Sequence, residues 1–310
     1  MLVRSGLAAA ILLIGACQET QVPVGPTPGR PRFGGAAALE RVRTQVAFGP
    51  RVPGTSGHTD QLRWMVARLD SLSPDVAVDT FSHVTASGDS LTLFNVSARF
   101  RPEATRRILL LTHWDTRPRS DQDPDPERRD LPVPGANDGA SGTAVLLELA
   151  GLLGASPPPM GVDLLFVDGE DYGPGLEDML LGAQRYASTL EGMVTRPVYA
   201  VLLDMVGDAD PSFLIEEVSA QAANVVVQKV WRAAERLGYG EFFPNRVGDR
   251  VADDHLPLIE AGLPTANLID IVYGPANRYW HTPEDTPDRL SAATLEMVGE
   301  VVTELIYSGG

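Results

Sequence analysis

Apolar positions along the chain follow two spacings. Leu62, Met65, Val66 and Leu69 recur three and four residues apart, the period of one helix face, and Ser71 and Pro74 end the run. Val76–Val84 and Leu91–Phe100 are rich in β-branched and aromatic residues and read as extended strands. Ile108-Leu109-Leu110-Leu111 is apolar without interruption, as a strand buried on both faces should be. A helix is expected from Asp138 through Leu149, a strand at Val162–Val167, a helix over Met179–Leu190 and a strand at Val198–Leu203. Val218–Leu237 reads as one long amphipathic helix ending at Gly238, Thr265–Ile271 as a late strand and Ser291–Ile306 as a closing helix.

Strands alternating with helices predict an α/β fold with a central mixed, mostly parallel sheet covered by helices on both faces, a three-layer αβα domain. No second linker interrupts residues 36–310, so one domain accounts for them. A chain of 310 residues can bury one large core, or at most two modest ones.

The N-terminus departs from this pattern. Arg4, the apolar run Gly6–Ile14 and then Ile14-Gly15-Ala16-Cys17 resemble a bacterial lipoprotein signal, with residues 1–17 forming the signal and Cys17 becoming the lipidated N-terminus. Export to the bacterial cell envelope, periplasm or outer membrane, is the expectation; a plain secretory signal with an incidental cysteine is the alternative. Residues 18–35 carry Pro23, Pro26, Pro28 and Pro31 and read as a Pro/Gly-rich tether. Cys17 is the sole cysteine, so the chain has no internal disulfide and no further thiol for catalysis. The formal net charge of −16 argues against nucleic acid or an anionic membrane surface as main partner, leaving the lipid on Cys17 as the expected membrane contact.

Candidate chemistry gathers at strand ends, where open α/β sheets place their sites. His113 and Asp115 follow the apolar run 108–111, Glu170 and Asp171 follow 162–167, Asp204 closes 198–203, and His281 comes after the last strand. Asp138 opens a helix after Pro134-Gly135-Ala136-Asn137. Each has a plain structural reading: Asp138 as a helix cap, His113 as a hydrogen-bonded core histidine, Glu170-Asp171 as a solvated turn, Asp204 as a loop cap. Their coincidence favours chemistry, because the chain holds only five histidines and two lie in this set. Nitrogen and oxygen donors without thiolates suit a catalytic zinc with an open position.

Several segments then stand together: His113-x-Asp115, Gly135-Ala136-Asn137-Asp138, Asp168-Gly169-Glu170-Asp171, Leu203-Asp204 and His281-Thr282-Pro283-Glu284-Asp285-Thr286. From about residue 40 to 308 the chain resembles the zinc-dependent aminopeptidases, and more closely the glutaminyl-peptide cyclotransferases (glutaminyl cyclases) among their relatives. The cyclase side rests on Arg51-Val52-Pro53-Gly54-Thr55-Ser56-Gly57, on Leu203-Asp204-Met205-Val206-Gly207-Asp208-Ala209-Asp210-Pro211, on Asp253-Asp254-His255-Leu256-Pro257-Leu258 and on Trp280-His281. The resemblance implies a zinc exopeptidase-like fold and zinc held by Asp138, Asp171 and His281. It also implies Glu170 as general acid/base, Asp204 and Asp253 as an acidic network beside it, and Trp280 as a pocket wall. His255, His58 and His83 are taken as structural, surface or packing residues. Two departures stand out: Asp171 is one methylene shorter than the glutamate of animal cyclases, and the loop Tyr172–Asp178 lacks the tryptophan those enzymes carry.

The reaction so implied turns N-terminal glutamine of peptides into pyroglutamate with loss of ammonia. Its nucleophile is the substrate's own α-amine, so one zinc suffices. The alternative is an aminopeptidase, which must activate water with two metals about 3.5–4 Å apart; His113 and Asp204 would then complete a second site with Asp138 bridging. Peptides with a free N-terminal residue are the expected partners in either case. A non-catalytic lipoprotein that has kept the fold is a third reading, disfavoured because Glu170 and every ligand are present. The acidic stretch Ser120–Glu127 lacks the glycine turn and distal glutamate of a calcium loop and reads as an ordinary exposed loop.

Overall fold

The computed structural model describes residues 25–310; the signal segment, Cys17 and the first part of the 18–35 stretch lie outside the described residues. Six strands form one sheet: β1 (Asp75–Val84), β2 (Ser90–Phe100), β3 (Arg107–His113), β4 (Gly161–Val167), β5 (Ala200–Asp204) and β6 (Thr265–Ile269), in the order β1-β2-β4-β3-β5-β6. β4, β3, β5 and β6 pair in parallel, whereas β2 runs antiparallel to both β1 and β4. The sheet is therefore mixed and mostly parallel, as the apolar runs imply.

All seven residues of β3 and of β4 are buried. Side-chain alternation splits them between two cores: Ile108, Leu110, Leu164 and Phe166 face one side, Leu109, Leu111, Leu165 and Val167 the other. At about 1.5–3 kcal/mol per buried large aliphatic side chain, the central strands contribute much of the driving force for folding. The first core is covered by α1 (Gly35–Ala47), α2 (Ser56–Asp70), α3 (Ala140–Ala155), α6 (Asn224–Arg236) and α8 (Ala292–Tyr307). The second is covered by α4 (Leu181–Ala187) and α7 (His255–Glu260). Three layers result.

Some elements differ from the sequence pattern. The expected helix 218–237 is two helices, α5 (Glu217–Ala222) and α6, broken at Ala223 with φ −134° and ψ 27°. Both α5 and α6 pack on β6, and α6 packs in addition on α8, so the chain turns at Ala223 within an amphipathic period that is continuous in sequence. α4 is shorter than the predicted 179–190 because Leu180 enters it from the left-handed region. α1, which buries Ala38, Val42 and Gln45 at helical spacing, and the six-residue α7 are not among the elements read from the sequence.

The described part of the 18–35 stretch is not a free tether. The Thr27 amide and hydroxyl donate to Glu304, the Arg30 guanidinium pairs with Glu300 and Glu304, and Phe33 is buried with its amide on Glu300. Glu300 and Glu304 are buried acids on α8 and need these partners. Among the described residues no helix is long and apolar enough to cross a membrane.

Candidate metal centre

β3 lies where the chain changes direction across the sheet, with β4 on one side and β5 on the other. A crevice opens there at the carboxyl ends of the strands. His113 is the last residue of β3 and Asp204 the last of β5; Glu170 and Asp171 lie just past β4. Asp138 sits before α3, but its carboxylate does not cap the helix. The cap position is Gly139, at φ 94°, and no side chain bonds to the helix end. A Cβ on Gly139 would come within 2.6 Å of the Asp115 carbonyl and 3.1 Å of the His113 ring, so glycine lets this turn close against His113.

Asp138 stands between the two histidines. Nε2 of His113 is 3.1 Å from Oδ1 of Asp138 and 3.1 Å from Oδ1 of Asp204. Nε2 of His281 is 3.4 Å from Oδ2 of Asp138 and 3.4 Å from Oδ1 of Asp171. Two donor trios result, His113–Asp138–Asp204 and Asp138–Asp171–His281, each with its ligand atoms within 4.8 Å of one another and every member buried. All residues expected at the metal are thus together, with Asp138 shared. Asp138, Glu170, Asp171, Asp204, Asp253, Trp280 and His281 line one cavity of about 50 Å³. The Trp280 ring stacks on His281 at 3.9 Å, and His281 takes φ 53°, a costly conformation for a non-glycine residue that its surroundings must enforce.

Outer groups orient these donors. Asp115 accepts the amides of Glu170 and Asp171, each at 3.2 Å. Asp285 accepts the amides of Asn137 (2.7 Å) and Asp138 (3.2 Å) and the Tyr273 hydroxyl (2.9 Å). Arg117 donates to Asp171 at 2.7 Å and to both oxygens of Asp121, whose Oδ1 lies 3.5 Å from Nδ1 of His281. Arg117, Asp121, Asp285 and Tyr273 are not identified from the sequence. Their one signal is proximity to the motifs, since Arg117 falls two residues after Asp115 and Asp285 four after His281.

No hydrogen bond joins Glu170, Asp204 and Asp253 directly among the described residues. Asp253 instead accepts the Asn267 side chain at 2.7 Å and the Asp254 amide at 2.6 Å. The coupling is through charge. Burial pushes the Glu170 carboxyl well up against the pull of His113, and Asp171, Asp253 and Asp254 push it further. Burial and Asp253 raise Asp204 to about 7, against His113; burial raises Asp171 to about 6, against His281. Although burial alone would lower them, neighbouring carboxylates lift His281 to about 10 and His113 well above its ordinary range. Asp138, opposed by burial, is held low by His113 and His281. The pocket therefore carries surplus negative charge that must be balanced by protons or by a cation.

A divalent ion fits this donor set. Two imidazoles offer Nε2 inward, and each Nδ1, buried without a hydrogen bond, lies 3.5 Å from an outer carboxylate, Asp115 for His113 and Asp121 for His281. Asp171 Oδ2 is buried without a hydrogen-bond partner, and the absence of thiolates excludes a structural cysteine site.

The remaining histidines have structural partners. Buried His58 contacts both oxygens of Asp168 at 2.9 and 3.0 Å and stacks on Trp114 at 4.4 Å. His83 pairs with Asp178 at 2.7 Å. His255 Nε2 lies 3.2 Å from Glu216 and belongs to neither trio. The 120–127 segment is more than an exposed loop. Asp123 is buried and accepts the Asp125 amide, and Asp121 serves the His281 side of the centre as described.

The sequence model of peptidase family M28 matches residues 95–306. The chain belongs to peptidase family M28. The crystal structure of Bacteroides thetaiotaomicron glutaminyl cyclase bound to N-acetylhistamine is 35% identical, with TM-score 0.87, covering 91% of this chain and 100% of that one. A structure described as a leucine aminopeptidase precursor, also from Bacteroides thetaiotaomicron, is 36% identical with TM-score 0.86, covering 90% of this chain and 99% of the other. The Drosophila melanogaster glutaminyl-peptide cyclotransferase is 28% identical over 82% of this chain and 75% of its own length. The glutaminyl-cyclase resemblance and the zinc exopeptidase-like fold read from the motifs both hold for this M28 chain.

Proposed function

We propose that this chain is a zinc-dependent glutaminyl-peptide cyclotransferase acting on peptides and proteins with N-terminal glutamine. The observation that carries the reading is that Glu170 and Asp253 line one small cavity with Trp280, Ile269 and Ile271, beside the donors Asp138, Asp171 and His281. The likeness to glutaminyl cyclases from a bacterium and a fly supports it.

In the reaction the substrate's α-amine nitrogen bonds to the γ-carboxamide carbon, and the bond from that carbon to the amide nitrogen breaks. The α-nitrogen loses one proton and the departing nitrogen gains one, leaving as ammonia. Glu170 lines the same cavity as the donors, next to Asp171, and is the group placed to take that proton and hand it to the departing nitrogen. Asp253 biases Glu170 by its charge and Asp204 in turn faces the charge of Asp253, while Trp280 and Ile271 line the cavity in which the ring would close. Asp138, Asp171 and His281 would hold the zinc, which would supply Lewis-acid polarisation of the γ-carbonyl. Intramolecular attack draws much of its rate from positioning, which a tight pocket provides. One ion is enough for this chemistry.

A di-zinc aminopeptidase is the second reading, favoured by one observation: His113, Asp138 and Asp204 form a second complete donor trio. Incubation with Gln-Ala and Leu-Ala peptides separates the two. Ammonia from the glutamine peptide is expected; release of leucine with no ammonia would end the cyclase reading. One tightly held zinc per chain is expected, and two would favour the peptidase. The Arg4–Cys17 pattern further supports export and lipid anchoring on Cys17. Mass spectrometry of the mature N-terminus tests this, and an unprocessed, unacylated Cys17 would refute it.

A further inference from the structure

The catalytic cavity, at about 50 Å³, adjoins a second and much larger one of about 800 Å³, and Val251, Ile269 and Ile271 line both. Ile269 is buried, whereas Val251 and Ile271 are half-buried, forming an apolar sill between the two spaces. A peptide whose first side chain enters the small cavity must leave its following residues outside it. The large cleft across this sill is of a size that receives several residues.

The character of the cleft selects what those residues are. Its walls carry six carboxylates and two guanidiniums. Arg289 is already engaged with Glu284 at 2.9 Å and lies near Asp288, which leaves Arg246 as the one lining cation without an ion pair among the described residues. Asp208, Asp210, Asp249 and Asp270 form no ion pair there either. Asp208 and Asp270 are buried at the base, each accepting a backbone amide, from Gly274 and Ser212 at 3.0 Å, while Asp210 and Asp249 stand exposed at the rim. An acidic trough with apolar walls complements an extended peptide bearing cationic side chains, both through local pairing and through the field that concentrates cations in a low-dielectric cleft.

We propose that this cleft is the binding site for the residues that follow the substrate's N-terminal residue, and that it selects peptides with lysine or arginine at the third and fourth positions. The proposal rests on the placing of substrate given above. Because both candidate reactions leave the same downstream residues in the cleft, it is tested independently of which bond is attacked.

The test compares Gln-Ala-Lys-Lys-amide with Gln-Ala-Glu-Glu-amide by the ratio of their kcat/KM values. The expected ratio is about tenfold in favour of the lysine peptide at low salt, shrinking towards unity near 1 M salt as screening removes the attraction. Asp210→Asn with Asp249→Asn should bring the low-salt ratio to within about twofold of unity, with an unchanged melting curve showing that the fold persists. A ratio near one in the unmodified enzyme, or an undiminished ratio in the double variant, would overturn the proposal. If no ammonia forms from any glutamine peptide, the cyclase reading fails on its own, and the same ratio is read from leucine release with Leu-Ala-Lys-Lys-amide and Leu-Ala-Glu-Glu-amide. Calorimetric binding of the two glutamine peptides to zinc-loaded Glu170→Gln protein gives the same preference without turnover; equal affinities there would reject it.

Discussion

The two halves of the metal centre use similar donors but are held in different ways. On the His113 side, the donors are the last residues of β3 and β5, which pair in parallel at Leu111↔Leu202, two residues before His113 and Asp204. Strand register alone sets these side chains next to each other. On the His281 side, Asp171 and His281 lie in loops, and His281 takes a left-handed backbone conformation. Their geometry depends on Arg117, Asp121 and Asp115. A site built on sheet register resists any change short of core disruption, whereas one built on side-chain clamps can be tuned by single substitutions.

The largest expected effect removes what the halves share. Asp138→Ala should abolish metal binding in both trios and with it activity, read by metal analysis after dialysis; retention of a full complement of zinc would mean that the halves are independent. Glu170 is a member of neither trio, although it faces His113 Nδ1 at 4.0 Å. Glu170→Gln should lower turnover by about 10²–10⁴-fold, the range for loss of a general acid/base, with zinc content unchanged; near-normal turnover would remove Glu170 from its role. Arg117→Gln addresses the clamp alone, and zinc affinity should fall by about 10–100-fold, as for other groups that orient metal ligands. An unchanged or stronger affinity would show that relief of charge repulsion outweighs the lost positioning.

The smallest effect is on stability. In the metal-free protein, Asp204 at about 7, Asp171 at about 6 and His281 at about 10 all hold protons more tightly than the ordinary values. For the carboxyls, the penalty of the charged form is fully present above those values and is relieved as pH falls towards 4. For His281, the stabilisation is full below about 6.5 and is lost as pH rises towards 10. Both signs agree, so the metal-free melting temperature should rise, by about 5 °C, between pH 8 and pH 5. Zinc-loaded protein should show a smaller rise, because the cation already balances the charge. Equal slopes for the two forms would place the compensating protons elsewhere.

The two halves also differ in how far they could be read from the chain. β3, β4 and β5 were legible because residues buried on both faces must be apolar throughout, and so were the acids and histidines that interrupt the pattern at strand ends. The role of Asp138 was open in sequence, where a helix cap and a metal ligand look alike; Gly139 occupying the cap position resolves it. Arg117, Asp121 and Asp285 were not legible, since they act on residues 54, 160 and 147–148 positions away. The break at Ala223 and the docking of Thr27–Phe33 on α8 share that cause: they depend on neighbours that spacing does not reveal.

What the sequence determined by itself is the layered α/β architecture, the donor types and their order, because periodicity and residue chemistry are local properties of the chain. The tertiary structure alone decided that Asp138 lies between two histidines, that Arg117 and Asp121 brace one side of the centre, and that an acidic cleft adjoins the catalytic cavity. These depend on distances of a few ångströms between residues far apart in sequence, and only strand register and packing set such distances.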